Sequence, residues 1–97
     1  MAITVFFDLR LTPDGVSEAP AMLREILADT RAFEGCEGVD VLIDRDDPTH
    51  LVLVERWESA EADAAYRQWR ATDGATRLGT LLAGTPSSTS FDTATDI

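Results

Sequence analysis

A carboxylate and an indole two residues apart, Glu55 and Trp57, close the run Leu51-Val52-Leu53-Val54-Glu55-Arg56-Trp57, and Ser59 follows. Residues two apart on a strand share a face, so Glu55 and Trp57 point the same way as Leu51 and Leu53. An indole fed into the start of a helix builds one wall of an apolar pocket. A carboxylate beside it can act as a base. Ser59 is placed to cap a helix carrying Tyr66 and Trp69, whose three-residue step puts both rings on one face. Tyr66 could donate or relay a proton. All of these residues also suit a plain core.

Other chemistries are poorly supplied. His50 and Cys36 are the only histidine and cysteine, too few for a zinc or iron constellation within one chain. Asp44-x-Asp46 with Glu55 twelve positions into the window has the outline of a calcium loop. It carries Thr49 where the turn needs glycine, and Pro48 and His50 at ligand positions. Cys36 lies in a Gly-Cys-Glu-Gly turn among acids, a poor setting for a nucleophile. The glycines form no phosphate-binding fingerprint. His50 reads as a surface residue at a strand start.

The formal net charge is -10, from 8 basic and 18 acidic residues. Nucleic acid and anionic lipid would be repelled by that field. Every basic residue is arginine. No apolar run approaches the ~18 residues of a membrane span, and no leader is evident. One cysteine and no leader lead us to expect a cytoplasmic protein. The length implies one domain over residues 1–97.

Residues 2–11 alternate apolar and polar, as a strand does, and Pro13-Asp14-Gly15 breaks it. Ser17 is expected to cap a helix of roughly 16 residues, with Ala19, Leu23, Ile26, Leu27, Thr30 and Phe33 on its buried face. Gly35 suits a left-handed stop. Val39, Val41 and Ile43 mark a second strand, and residues 50–57 the third. After the Ser59-capped helix, Thr72-Asp73-Gly74 interrupts, and a short helix should carry Ala75, Leu78, Leu81 and Leu82. Residues 89–95 suit a polar edge strand. The order βαββαβ implies an α+β, ferredoxin-like sandwich: a four-stranded antiparallel sheet with both helices on one face.

The third strand is apolar on both faces. Leu51 and Leu53 face the helices; Val52 and Val54 join Phe6 and Leu42 on the other side. An apolar second face normally marks an interface, so a homodimer packed sheet to sheet is expected.

Thr30-Arg31-Ala32-Phe33-Glu34-Gly35-Cys36, then Asp46-Asp47-Pro48, then Glu55-Arg56-Trp57-Glu58-Ser59 and Glu61-Ala62, resemble the antibiotic biosynthesis monooxygenase domain family. The resemblance covers about residues 3–84. It implies a dimeric α+β barrel with a ligand pocket between sheet and helices, often used without metal or flavin. Trp57 matches the tryptophan that lines the site in polyketide-oxidising members, and Arg77 matches a helix arginine. Leu53 stands where those members have asparagine, Asp63 where they have tyrosine, and Tyr66 where many others have histidine. The haem-degrading pattern is not matched.

The chemistry implied is oxidation of a hydroxylated aromatic, quinol or polyketide-like molecule by O2. Such a reaction needs a dry pocket, a base and a donor for an oxyanion. Phe7, Leu23, Leu53 and Trp69 would line the pocket, and Arg70 or Arg77 would hold the oxyanion. Trp57, Tyr66, Glu55 and Arg77 are the expected catalytic residues; Phe7, Leu23, Leu53, Asp63, Trp69 and Arg70 are expected to bind substrate. No cofactor or metal is expected. A fold-sharing protein that only binds an apolar small molecule, or a polyketide cyclase or isomerase, would fit the same pocket.

Overall fold

The computed structural model describes all 97 residues. Its four strands pair antiparallel in the order β2-β3-β1-β4. The strands are β1 (Ile3–Arg10), β2 (Cys36–Ile43), β3 (His50–Trp57) and β4 (Ser87–Asp92). Helix α1 (Ala19–Ala32) follows β1, and α2 (Ala60–Arg70) follows β3. This is the ferredoxin-like α+β arrangement, with its helical layer on one side.

β3 lies in the middle of the sheet, and its two faces differ. Leu51, Leu53, Glu55 and Trp57 are buried; Val52, Val54 and Arg56 are half-buried. Period-two patterning has therefore set the strand's orientation, with the apolar set beneath the helices. Leu9, Leu11, Leu23, Leu27, Leu51 and Leu53 share an aliphatic core with Val39 and Leu81. Ile3, Val5, Trp57 and Tyr66 form a second, aromatic-rich core against Phe33 and Trp69.

Helix α1 begins later than Ser17 implies. Thr12 caps a 3-10 turn over Pro13–Gly15, its Oγ1 accepting from Gly15 N at 3.0 Å. The chain turns on through Glu18, whose N–H bonds Gly15 O at 3.2 Å, so α1 starts without a side-chain cap and runs 14 residues. Ser17 is left exposed. Ser59 does cap α2, its Oγ accepting from Ala62 N at 3.1 Å.

β2 extends back to Cys36 through a bulge beside Gly38. Gly38 has φ +151°, and a Cβ there would meet the Arg56 guanidinium at 2.3 Å. Gly35 sits at φ +91° against Ala62, where the chain passes the start of α2. The expected helix around Ala75–Leu82 is only a 3-10 turn, Leu78–Leu81. Backbone pairing explains this: Leu81 O accepts from Thr12 N at 2.8 Å, and Ala83 N donates to Arg10 O at 2.7 Å. The edge strand β4 runs 87–92 rather than 89–95, pairing only with β1, and all six of its residues are exposed. No helix is long and apolar enough to cross a membrane.

Candidate functional site

Glu55 is 2% exposed, and it is the one acidic residue in the core. Burying a carboxylate is costly unless it is paired and hydrogen-bonded. Two donors meet its Oε1: the Trp57 indole Nε1 at 3.2 Å, and an Arg67 guanidinium N–H. Trp57 comes from the same strand, two residues on. Arg67 comes from α2, the helix launched by the Ser59 cap. Arg67 is itself held by Asp63, whose Oδ1 accepts from Nε at 3.1 Å. Its guanidinium also lies 5.6 Å from the Phe7 ring centroid and 5.1 Å from that of Tyr66. About a third of the Arg67 side chain stays exposed (34%), so the ion pair is buried at one end and open at the other.

Glu55 Oε2 takes no hydrogen bond from the protein. No fully buried side-chain oxygen or nitrogen lacks a partner. Oε2 is therefore not fully buried, although Glu55 as a whole is only 2% exposed, and it belongs to the carboxylate that Arg67 pairs with.

Next to this pair lies an aromatic block. Trp57 is wholly buried, its ring 4.8 Å from that of Tyr66 and 6.2 Å from that of Phe33. Trp69 and Phe33 are 5.5 Å apart. Trp57 thus touches the site through its N–H, holding Glu55, and presents no open ring face. Tyr66 is equally committed. Thr30 Oγ1 donates to Ile26 O at 3.2 Å, so its contact with Tyr66 at 2.7 Å makes the tyrosine the donor. The Tyr66 oxygen in turn accepts from Arg70 Nε at 2.7 Å. Arg70 also bonds Gly74 O at 3.1 Å and Ile26 O at 2.8 Å, and it lies over Trp69. These contacts tie α1 to the end of α2 and leave Tyr66 no free proton.

The expected residues therefore divide. Glu55, Trp57, Asp63 and Phe7 come together around Arg67. Tyr66, Trp69 and Arg70 pack behind them as structure. Leu53 belongs to the aliphatic core. Leu23 does too, and it also borders a groove beside α1. Arg77 lies apart, exposed in a shallow hollow with Glu25 and Asp29 of α1 that neither Glu55 nor Trp57 borders. The α2 arginine at the site is Arg67, which the sequence reading passed over. Its signal was the Asp63-to-Arg67 spacing of four, next to Tyr66 on the helix surface. No group of three His, Cys, Asp or Glu side chains is arranged to hold a metal ion.

The sheet order and the helix-facing Glu-x-Trp strand define a small ferredoxin-like α+β protein with a buried acid–arginine pair. The chain belongs to the antibiotic biosynthesis monooxygenase family, whose model matches residues 2–78. Among solved structures it is similar to Rv0793 of Mycobacterium tuberculosis, at 27% identity and TM-score 0.76, covering 97% of this chain and 96% of that one. A Deinococcus radiodurans structure named for the same monooxygenase family superposes with TM-score 0.81 at 23% identity, covering 100% and 96%. One from Nitrosomonas europaea, named likewise, gives 0.80 at 19%, covering 98% and 92%. No curated protein sequence matches significantly.

Proposed function

We propose that the chain is a small oxygenase acting on a hydroxylated aromatic or quinol-like molecule, with Glu55 as base and Arg67 as the oxyanion partner. The observation that carries this reading is the division of labour on Glu55: Oε1 pinned by Arg67 and Trp57, Oε2 unbonded. A substrate O–H donating to Oε2 would lie beside the guanidinium that stabilises the resulting oxyanion. The anion, the enolate of a ketone conjugated through the rings to a CH2, gives one electron to O2. The radical pair joins at carbon as a peroxide anion, which takes the proton back from Glu55 to give the hydroperoxide. For a CH2 between aromatic rings, loss of water then leaves C=O. One oxygen atom enters the product, and the other leaves as water with the two CH2 hydrogens. Phe7 offers an apolar surface for the substrate ring next to Arg67.

Ligand binding without turnover is the second reading. It is supported by the aromatic block, which gives Trp57 no open face. The deciding measurement is oxygen uptake with anthrone and hydroquinone, with a metal chelator present. Wild-type protein should consume oxygen above the background rate. Glu55→Gln should lose about 100-fold or more, the usual worth of a positioned base. Arg77→Ala should leave the rate unchanged. Uptake that survives Glu55→Gln removes the proposed base; binding without uptake favours the second reading.

A homodimer through the outer sheet face belongs to the same proposal. Phe6, Leu42 and Phe91 are 45%, 51% and 50% exposed there, around half-buried Val52 and Val54. Phe6 and Phe91 already meet edge to face, with centroids 5.5 Å apart.

A further inference from the structure

A groove on the other flank of the helical layer has no part in the Glu55 chemistry. It lies between α1 and the edge strand β2, with Leu51 among the residues that line it, and encloses about 330 Å³. Val41 and Ile43 belong to the helix-facing side of β2 yet are 36% and 62% exposed, so β2 projects past the cover that α1 provides. Neither Glu55 nor Trp57 borders the groove. On α1, Pro20, Arg24, Leu27 and Arg31 follow one another at four-, three- and four-residue steps, a single stripe facing it.

The charged residues of that stripe are both arginines. The chain carries 18 acidic residues against 8 arginines, and Arg10, Arg56 and Arg67 are each ion-paired. Arg24 and Arg31, like Arg45, Arg70 and Arg77, form no ion pair. Arg31 gives one N–H to Val39 O at 2.9 Å, which holds its guanidinium at the mouth of the groove. The neighbours of Arg24 three and four residues away are Pro20, Ala21, Leu27 and Ala28, none of them acidic. Seven helical residues span about 10 Å, so two arginine side chains can converge on one group between them. An apolar cleft lined by two arginines without acidic partners, Arg24 with no hydrogen bond and Arg31 with one nitrogen on Val39 O, complements a molecule with an apolar body and one carboxylate.

We propose that this groove is a second ligand site, which takes an amphipathic carboxylate with its tail on Leu23, Ile43 and Leu51 and its head group between Arg24 and Arg31. The proposal is independent of the oxygenase reading, and its test is a binding measurement.

Octanoate, titrated into 15N-labelled full-length protein, should move amide resonances saturably along residues 16–31 and 41–51. Octan-1-ol, which has the tail without the charge, should bind at least tenfold more weakly. Arg24→Gln with Arg31→Gln should weaken octanoate binding by a similar factor. Both side chains are exposed, so the fold should survive; Arg24→Gln alone, which removes no observed hydrogen bond, should still weaken binding. Ile43→Glu should abolish it. Glu55→Gln should bind octanoate as the wild type does. Equal affinity for octanol, shifts confined to the outer sheet face, or loss of binding in Glu55→Gln would each overturn the proposal. So would intermolecular contacts showing that residues 93–97 of a second copy fill the groove.

Discussion

At the scale of single residues, the Glu55–Arg67 pair makes a testable asymmetry. Arg67 can be rehydrated when its partner is lost, because about a third of it is exposed; Glu55, at 2%, meets solvent only at the edge of Oε2 and gains far less. Arg67→Met therefore strands a buried carboxylate. The expected loss lies toward the low end for a broken buried pair, roughly 2–3 kcal/mol, because the arginine end is screened. Glu55→Gln keeps the shape and an acceptor for the Trp57 indole, and should cost about 1 kcal/mol. Combining Glu55→Gln with Arg67→Met should recover much of the Arg67→Met loss. Urea unfolding followed by tryptophan fluorescence measures all three. If the double variant is simply the sum of the singles, the pair is not energetically coupled. This pair was half legible in the sequence. The helix-facing position of Glu55 follows from strand alternation. The choice of arginine does not, because Arg67, Arg70 and Arg77 all follow Ser59 within a few turns, and only the packing of α2 decides which of them reaches β3.

Among the elements, β1, β2, β3 and the two helices were legible because alternation and three-to-four spacing reflect a buried face; β4, exposed along its whole length, was placed about two residues late. The stretch between α2 and β4 was not. Leu78, Leu81 and Leu82 have helical spacing, but Leu81 O is taken by Thr12 N and the N–H of Ala83 by Arg10 O at the end of β1, and that is a long-range fact. Two glycines there give a paired prediction. A Cβ at Gly74 would lie 2.4 Å from the Trp69 ring, whereas one at Gly79 would meet nothing within 4 Å. Gly74→Ala should cost about 1–3 kcal/mol by overpacking. Gly79→Ala should be neutral or stabilise by roughly 0.4–1 kcal/mol, since it restricts the unfolded chain. Equal melting temperatures for the two variants would contradict this. His50 joins three strands' ends, its ring nitrogens 3.0 Å from Asp8 and 2.9 Å from Asp44. Hydrogen bonds to Asp8 and then Asp44 raise its pKa, and the bond to His50 lowers that of Asp44. The histidine contribution is fully present below its unfolded pKa of about 6.5 and fades as pH rises through the raised folded value. The Asp44 contribution is present above its unfolded value and fades as pH falls through the lowered one. Unfolding midpoints against pH should decline on the alkaline side in wild type and much less in His50→Asn; parallel profiles would assign the decline to other groups.

For the whole molecule, the central question is what covers the outer face of the sheet. The register sets Phe6 opposite Val54 and Leu42 opposite Val52, and Phe91 adds a third large side chain from β4. The ends of this patch are polar: Arg56 pairs with Asp40 at 2.9 Å, and Asp8 bonds His50. An apolar centre with a charged margin is the usual anatomy of a protein interface. Against association stands the net charge of -10 on each copy, which makes two copies repel at long range. The two forces differ in salt dependence. Added salt screens the repulsion over a Debye length of about 8 Å at physiological strength and leaves the apolar contact in place. Dimer affinity should therefore rise between 20 mM and 300 mM NaCl. An interface held by ion pairs would weaken over the same range. Sedimentation equilibrium at micromolar protein distinguishes the two. Leu42→Glu, at an exposed position, should shift the population to monomer without lowering the monomer's own stability. A monomer at every salt concentration would leave the patch without a self-partner and remove the dimer from the proposed function.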